Sequence, residues 1–246
     1  MKLILLRHGE SQWNLENRFT GWKDVSLTEQ GKKEANFSGN ELLKNNFQII
    51  TIYTSLLKRA TETTDIVAQI INFPNEKIKY HWRLNERHYG ALQGLNKSET
   101  AAKYGEDQVH IWRRSYDIAP PLLDLNDKRH ARFNAKFQNI NSDLPVGESL
   151  KDVISRLQPF WKEYVDSILS IKGDHLIVAH SNSLRAIVKI LDKLSSSEIM
   201  SVNIPTGVPL VYTLDKRLNV LKKEYLIKED ELKVKQEIIA NQGKAK

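Results

Sequence analysis

Two histidines stand in matching surroundings, His8 in LILLRHGES and His180 in HLIVAHSNS. Each follows a short apolar run suited to a strand buried on both faces of a parallel sheet, and each leads into small polar residues. Arg7 beside His8 places a permanent cation at that buried end, which is costly unless something anionic meets it. In open α/β sheets, ligands collect at the carboxyl ends of the strands. Strands laid side by side would bring His8 and His180 together there, next to a helix N-terminus opened by Asn182 and Ser183. Backbone N–H groups at such a terminus suit a phosphate. Arg7, Arg59 and Arg185 can add charge, because a guanidinium grips phosphate oxygens through two parallel hydrogen bonds.

The chemistry these residue types suit is phosphoryl transfer through a phosphohistidine. A neutral imidazole is a competent nucleophile near neutral pH, and adjacent arginines keep it neutral. The transferred group then needs in-line positioning and charge neutralisation. Glu86, beside Arg87 and His88, is the carboxylate placed to move the proton of a substrate hydroxyl, although its spacing suits a surface ion pair with Arg87 equally well. Arg59 sits in the first turn of an expected helix, the wrong end for a cation by the dipole rule. It is either solvated or helps hold an anion.

The elements that must position these groups follow from periodicity and punctuation. Strands are expected at residues 2–6, 48–53 and 175–179, with a short edge strand at 76–82 and two more at 208–214 and 220–227, joined by a turn. FTGWKD at 19–24 reads as a loop in which Gly21 allows close backbone approach. Thr28 caps a helix through Ala35 towards Leu43, weakened by Gly31 and Gly39. A second helix spans 57–71. Ser149 opens an amphipathic helix with Val153, Leu157, Phe160, Trp161, Tyr164, Val165, Ile168 and Leu169 on its apolar stripe, and another runs over 184–194. Between residues 84 and 145 the pattern loses periodicity apart from a short helix at 98–104, and Pro120 and Pro121 break regular structure. So long a connection is usually functional, and we read it as an excursion from the sheet without a core pattern of its own. A charged helix from Glu229 fades into NQGKAK, giving an expected mobile tail over about 229–246. The whole, 1–246, reads as one domain.

Composition narrows the partners. The chain has 246 residues, 40% hydrophobic and 27% charged, enough for one core. With no cysteine, thiolate nucleophiles and zinc–thiolate sites are excluded. The seven histidines form no HExxH or similar ligand spacing, and no nucleotide-binding glycine loop occurs. No run approaches the roughly 20 apolar residues that span a bilayer, and LILL is too short for a signal-peptide core, so a membrane is not expected and the cytoplasm is the default. A formal charge of +7 favours anionic partners. The basic residues are interspersed with acids, so nucleic acid is not the expected partner.

The segment LLRHGESQWN closely resembles the signature of the cofactor-dependent phosphoglycerate mutases, within the histidine phosphatase superfamily. FTGWKDVSLTEQG, YTSLLKRATET, WRLNERHYGALQGLNK, RRSYD, NSLRAIVK and NIPTGVPLVY resemble the same mutase branch, from Lys2 to the C-terminus. The resemblance implies an α/β fold: a three-layer arrangement with a mainly parallel central sheet flanked by helices and a long active-site insertion. It implies interconversion of 3-phosphoglycerate and 2-phosphoglycerate, primed by 2,3-bisphosphoglycerate, without metal. In that scheme His8 carries the phosphoryl group, Arg7, Arg59, His180 and Asn14 surround it, and Glu86 donates and accepts the proton. Ser11, Thr20, Gly21, Tyr89, Lys97, Arg113, Arg114, Ser181 and Asn182 match positions that hold the substrate's phosphate and carboxylate.

Two departures stand out against the family pattern. Ser181 replaces the usual glycine after the second histidine, which narrows the site, and Ile227 and Lys228 occupy a stretch where a glycine is typical. Family members assemble as homodimers or homotetramers. The nearest alternatives are a phosphatase of the same superfamily, set apart by Lys97, Arg113 and Arg114, which would hold a second anionic group and exclude water, and a bisphosphoglycerate mutase, which these residues do not set apart. A nucleic-acid-binding module without catalysis is a more distant alternative, and it leaves the paired histidines unexplained.

Overall fold

Every second residue of the first strand faces the same helical layer. The computed structural model describes residues 1–140, 143–169, 173–242 and 244. In chain order the elements are β1 (Lys2–Arg7), α1 (Gln12–Leu15), α2 (Glu29–Lys44), β2 (Ile49–Thr54), α3 (Lys58–Ile70), β3 (Ile78–Tyr80), α4 (Lys97–Tyr104), α5 (Glu106–Arg114), α6 (Leu150–Leu169), β4 (Asp174–Ala179), α7 (Ser181–Leu191), α8 (Glu198–Ser201), β5 (Leu210–Leu214), β6 (Val220–Tyr225) and α9 (Glu229–Asn241). Leu3 and Leu5 of β1 pack with Ile177 and Ala179 of β4 against α6 and α7. Ile4 and Leu6 turn the other way, joining Leu176, Val178 and Ile52 against Leu42 of α2 and Val67 of α3. Alternation along strands buried on both faces therefore builds three layers, helix–sheet–helix.

The six strands lie in the order β3-β2-β4-β1-β5-β6. The first four are mutually parallel, while β5 pairs antiparallel with both β1 and β6. The mainly parallel, three-layer expectation is met. Thr28 caps α2, its side chain accepting from the Gly31 N–H at 3.0 Å, as its sequence position suggests. Ser149 opens α6 by accepting from the Asp152 N–H at 3.2 Å. The expected apolar positions Ile168 and Leu169 lie in α6, but their side chains fall outside what is described, as do residues 243, 245 and 246 of the expected tail.

Several expectations need correction. The edge strand is only three residues long, because residues 75–77 form a tight helical turn before it. The helix after His180 begins at Ser181, three residues earlier than expected, so Asn182 and Ser183 lie inside its first turn. Within 84–145, α5 was not anticipated, and the stretch does own small apolar clusters. One joins Leu92, Ala101 and Val109 to Phe19, and another joins Ala131 and Phe137 to Trp22 and Leu57. The partner residues come from distant segments, so no local periodicity announces them. Among the described residues, no helix is long and apolar enough to cross a membrane.

Candidate active site

The site begins with the register of two strands. β1 and β4 run parallel as neighbours with Arg7 opposite Ala179, and the His8 N–H continues the ladder to the Ala179 carbonyl at 3.0 Å. Both chains therefore leave the sheet at the same level, and the His8 and His180 rings come within 4.9 Å, centroid to centroid. Both side chains are buried.

His8 Nδ1 lies 2.7 Å from the Gly9 carbonyl oxygen. A carbonyl can only accept, so Nδ1 carries the proton and Nε2 keeps its lone pair. Arg59 Nε–H points at that lone pair from 3.3 Å. Burial, then the charges of Arg59 and Arg7, hold His8 well below the ordinary imidazole value of 6.5. The result is a neutral nucleophile with its reactive nitrogen fixed.

Arg59 is 1% exposed, which removes the solvated alternative. From the first turn of α3 its Nη1 donates to the Lys23 carbonyl at 3.0 Å and its Nη2 to the Gly21 carbonyl at 2.9 Å. Gly21 adopts a φ of +54°, the left-handed conformation that turns this loop at low cost in glycine. Burial lowers the Arg59 guanidinium to about 10, so it stays charged at neutral pH. Arg7 donates through Nη1 to the Ile204 carbonyl at 2.8 Å, while its Nε is buried without a partner.

Glu86 is not in a surface ion pair with Arg87. Its Oε1 accepts from the Arg87 N–H at 2.8 Å and from the Asn182 N–H at 3.1 Å, and it is buried in the pocket wall. The Arg87 guanidinium instead donates to the Arg113 carbonyl and lies over the Tyr89 ring.

The pocket in front of His8 is lined by Arg7, Asn14, Arg18, Thr20, Arg59, Glu86, Tyr89, Lys97, Arg113, Arg114, Ser181, Asn182, Arg185, Ile239 and Gln242. Seven of these are cations and one is a carboxylate. Burial together with Arg113, Arg7 and Arg114 holds Lys97 well below its ordinary value of 10.5, and burial lowers Arg113 to about 10. Arg18 is paired with Glu16 at 2.7 Å, and the other six cations, without a carboxylate ion-pair partner among the described residues, favour a ligand with several negative groups. The buried, unpartnered Nε atoms of Arg7 and Arg185 fit such a ligand too. Among the described residues, no group of three or more His, Asp or Glu side chains could hold a metal ion.

Three expected site residues do not line the open pocket. Ser11 is the cap of α1, its hydroxyl donating to Asn14 Oδ1 at 2.8 Å, so it orients Asn14 instead. Gly21 presents its carbonyl to Arg59. His180 lies behind His8, its Nε2 2.7 Å from Ser55 Oγ, and is held well below 6.5 by burial, Arg59 and His8. Arg18, Ile239 and Gln242 were missed. Arg18 carries no pattern of its own, and its Nη1 donates to the Gly94 carbonyl at 2.8 Å. Ile239 and Gln242 belong to the end of α9, which is brought over the pocket where Lys97 Nζ donates to Gln242 Oε1 at 3.4 Å and Arg114 reaches the Ile239 carbonyl at 3.5 Å.

Comparison with known proteins agrees with this geometry. Residues 3–223 match the model of the histidine phosphatase superfamily (branch 1). Over 247 aligned residues, covering all of both chains, the sequence is 51% identical to a 2,3-bisphosphoglycerate-dependent phosphoglycerate mutase of Treponema denticola. Among solved structures, a mycobacterial glucosyl-3-phosphoglycerate phosphatase superposes with a TM-score of 0.70 at 22% identity, covering 92% of this chain and 98% of that one. An alpha-ribazole phosphatase from Shigella flexneri gives 0.65 at 20% identity, covering 90% and 95%. These two establish the fold alone. Buried histidines at the ends of adjacent parallel strands, a family match from the first strand to the last and an end-to-end likeness to a mutase agree, and the chain belongs to the histidine phosphatase superfamily, among its 2,3-bisphosphoglycerate-dependent phosphoglycerate mutases.

Proposed function

We propose that this protein interconverts 3-phosphoglycerate and 2-phosphoglycerate through a phosphohistidine at His8. The observation that carries this reading is a neutral His8, with Nε2 unprotonated, in a pocket of seven cations and one carboxylate. When bound, 2,3-bisphosphoglycerate supplies the priming phosphoryl group. His8 Nε2 attacks phosphorus, forming the N–P bond as the P–O bond to the carbon skeleton breaks. Arg7, Arg59 and Asn14 face the phosphoryl oxygens, where charge must be met without reorganisation, and His180 backs the His8 ring from the other side. Glu86 gives a proton to the departing oxygen. In the reverse direction it takes the proton from the attacking hydroxyl, so both half-reactions use one carboxylate.

The remaining anionic groups of the substrate fall to Thr20, Tyr89, Lys97, Arg113, Arg114, Ser181 and Asn182, with Arg18 and Arg185 added. Ser11 and Gly21 act at one remove, through Asn14 and Arg59. Ile239 and Gln242 at the pocket rim favour mutase over phosphatase activity, because water must be kept from the phosphohistidine. We read the chain as a single cytoplasmic domain over 1–246, with an insertion at about 84–145, working without metal as a homodimer or homotetramer.

The test is incubation with labelled 2,3-bisphosphoglycerate. Acid-labile, alkali-stable label is expected on the wild type and absent from His8→Ala; label that persists in the variant refutes the role of His8. An enolase-coupled assay should show 2-phosphoglycerate from 3-phosphoglycerate, undiminished by a chelator. Phosphate release with no 2-phosphoglycerate would overturn the mutase assignment.

A further inference from the structure

The carboxylate of Glu86 is held by main-chain N–H groups, and the main chain that carries it belongs to neither helix nor strand. Residues 85–88 run buried beside the pocket as irregular chain. Buried backbone of that kind must find partners for its polar groups outside secondary structure. It finds them in side chains that do not line the pocket: Trp22, whose Nε1 donates to the Glu86 carbonyl at 2.6 Å, and the pair Arg156 and Glu148. Arg156, on α6, donates from Nη1 to the Arg83 carbonyl at 2.7 Å and from Nη2 to the carbonyls of Asn85 and Glu86 at 3.2 and 3.3 Å. Glu148 accepts from the His88 N–H at 2.8 Å through Oε2, and its own N–H returns a bond to the His88 carbonyl at 2.9 Å. The two side chains clasp each other, Nε to Oε1 at 2.5 Å and Nη2 to Oε2 at 3.2 Å, with 7% and 4% of their side chains exposed.

A buried ion pair adds little net stability over an apolar replacement, because desolvation offsets the attraction. Stability alone therefore does not account for it. Its outward hydrogen bonds all go to one segment and bracket one residue, with Arg156 on the side before and at Glu86 and Glu148 two residues after. We propose that Arg156 and Glu148 are positioning residues for Glu86, holding the backbone from which the proton-transferring carboxylate reaches the substrate. This rests on the assignment of Glu86 as the proton donor and acceptor. A shift of Glu86 by about 1 Å is enough to cost roughly a hundredfold in rate, whereas neither side chain touches the cations that hold the ligand.

The experiment compares wild type, Glu86→Gln, Arg156→Lys, Glu148→Gln and the Glu86→Gln/Arg156→Lys double variant, each first checked for native circular dichroism. Arg156→Lys keeps the charge but cannot serve three carbonyls and a carboxylate together. We expect its kcat to fall about 10- to 100-fold with KM changed less than about threefold, and the double variant to be no slower than Glu86→Gln alone. Glu148→Gln, nearly isosteric, should show the same split more weakly, and it decides the matter if Arg156→Lys does not fold. Losses that multiply in the double variant, a rise in KM that accounts for the whole loss, or full kcat in both folded single variants would overturn the proposal. Wild-type kcat in Glu86→Gln is a separate outcome: it removes the assignment of Glu86 itself.

Discussion

Ser181 is the residue at which this pocket departs from the family pattern, and its surroundings say how much that should matter. It is the first residue of α7, half-buried, and lines the pocket beside Asn182. Its backbone is not in the left-handed region, where glycine would be required. The glycine typical of the family is therefore a matter of room and not of backbone conformation. Ser181→Gly should lower stability by less than about 1 kcal/mol and change kcat less than about threefold. A tenfold gain in an enolase-coupled assay would mean instead that the hydroxymethyl group obstructs the substrate. Arg59 is the contrasting case. Lysine there would keep the charge but could not meet His8 Nε2 and the carbonyls of Gly21 and Lys23 together. Arg59→Lys should cost about a hundredfold in kcat; retention of even half the wild-type rate would show that charge alone suffices.

At the scale of elements, the packing of α2 on the loop after His8 is controlled by two glycines. A Cβ on Gly31 would stand 2.0 Å from the Glu10 carbonyl oxygen, and one on Gly9 would stand 2.2 Å from the Gly31 oxygen. Backbone meets backbone here, so there is no flexible side chain to move aside. Gly31→Ala should therefore destabilise the protein by at least about 1–3 kcal/mol in denaturant unfolding, despite alanine's better helix propensity, and should slow His8 phosphorylation because Gly9 holds Nδ1. A stabilised variant would show that the helix can slide away at no cost. In sequence terms Gly31 and Gly39 only weakened the case for α2, since propensity is local and their contacts are not; Gly39 faces Ile70 of α3. The same division separates what was legible from what was not. Strands β1, β2 and β4 announce themselves as continuous apolar runs, and their matched histidines gave the centre of the site. Helix α5 buries only Val109 among its apolar residues, against Phe19 some ninety positions away, so its stripe is too thin to read. Glu86 and Arg59 were ambiguous because burial, which decides between a solvated charge and a functional one, is set by the assembled layers. Ile239 and Gln242 reach the pocket only because α9 returns to it.

Across the whole molecule, burying uncharged histidines ties stability to pH. Desolvation holds His8 and His180 well below 6.5, and His88 falls to about 3, each with nearby positive groups acting in the same direction. In the unfolded chain all three take up protons as pH drops through 6.5, while the native protein resists. The unfolded state then binds more protons, so stability is full above 6.5 and is lost as pH falls below it. At pH 5.5 each group contributes a loss of about 1.4 kcal/mol, so the three together should lower the free energy of unfolding by about 4 kcal/mol relative to pH 7.5. Guanidinium unfolding at a series of pH values checks this, and a flat profile between 7.5 and 5.5 would sink it. Catalysis should respond differently over the same interval. His8 stays neutral in the folded protein, so phosphohistidine formation at pH 6 should proceed at close to its rate at pH 7.5 in samples kept below their unfolding temperature. A rate that halves at pH 6.5 in fully folded protein would mean that His8 titrates near its ordinary value, and that burial does not govern its charge.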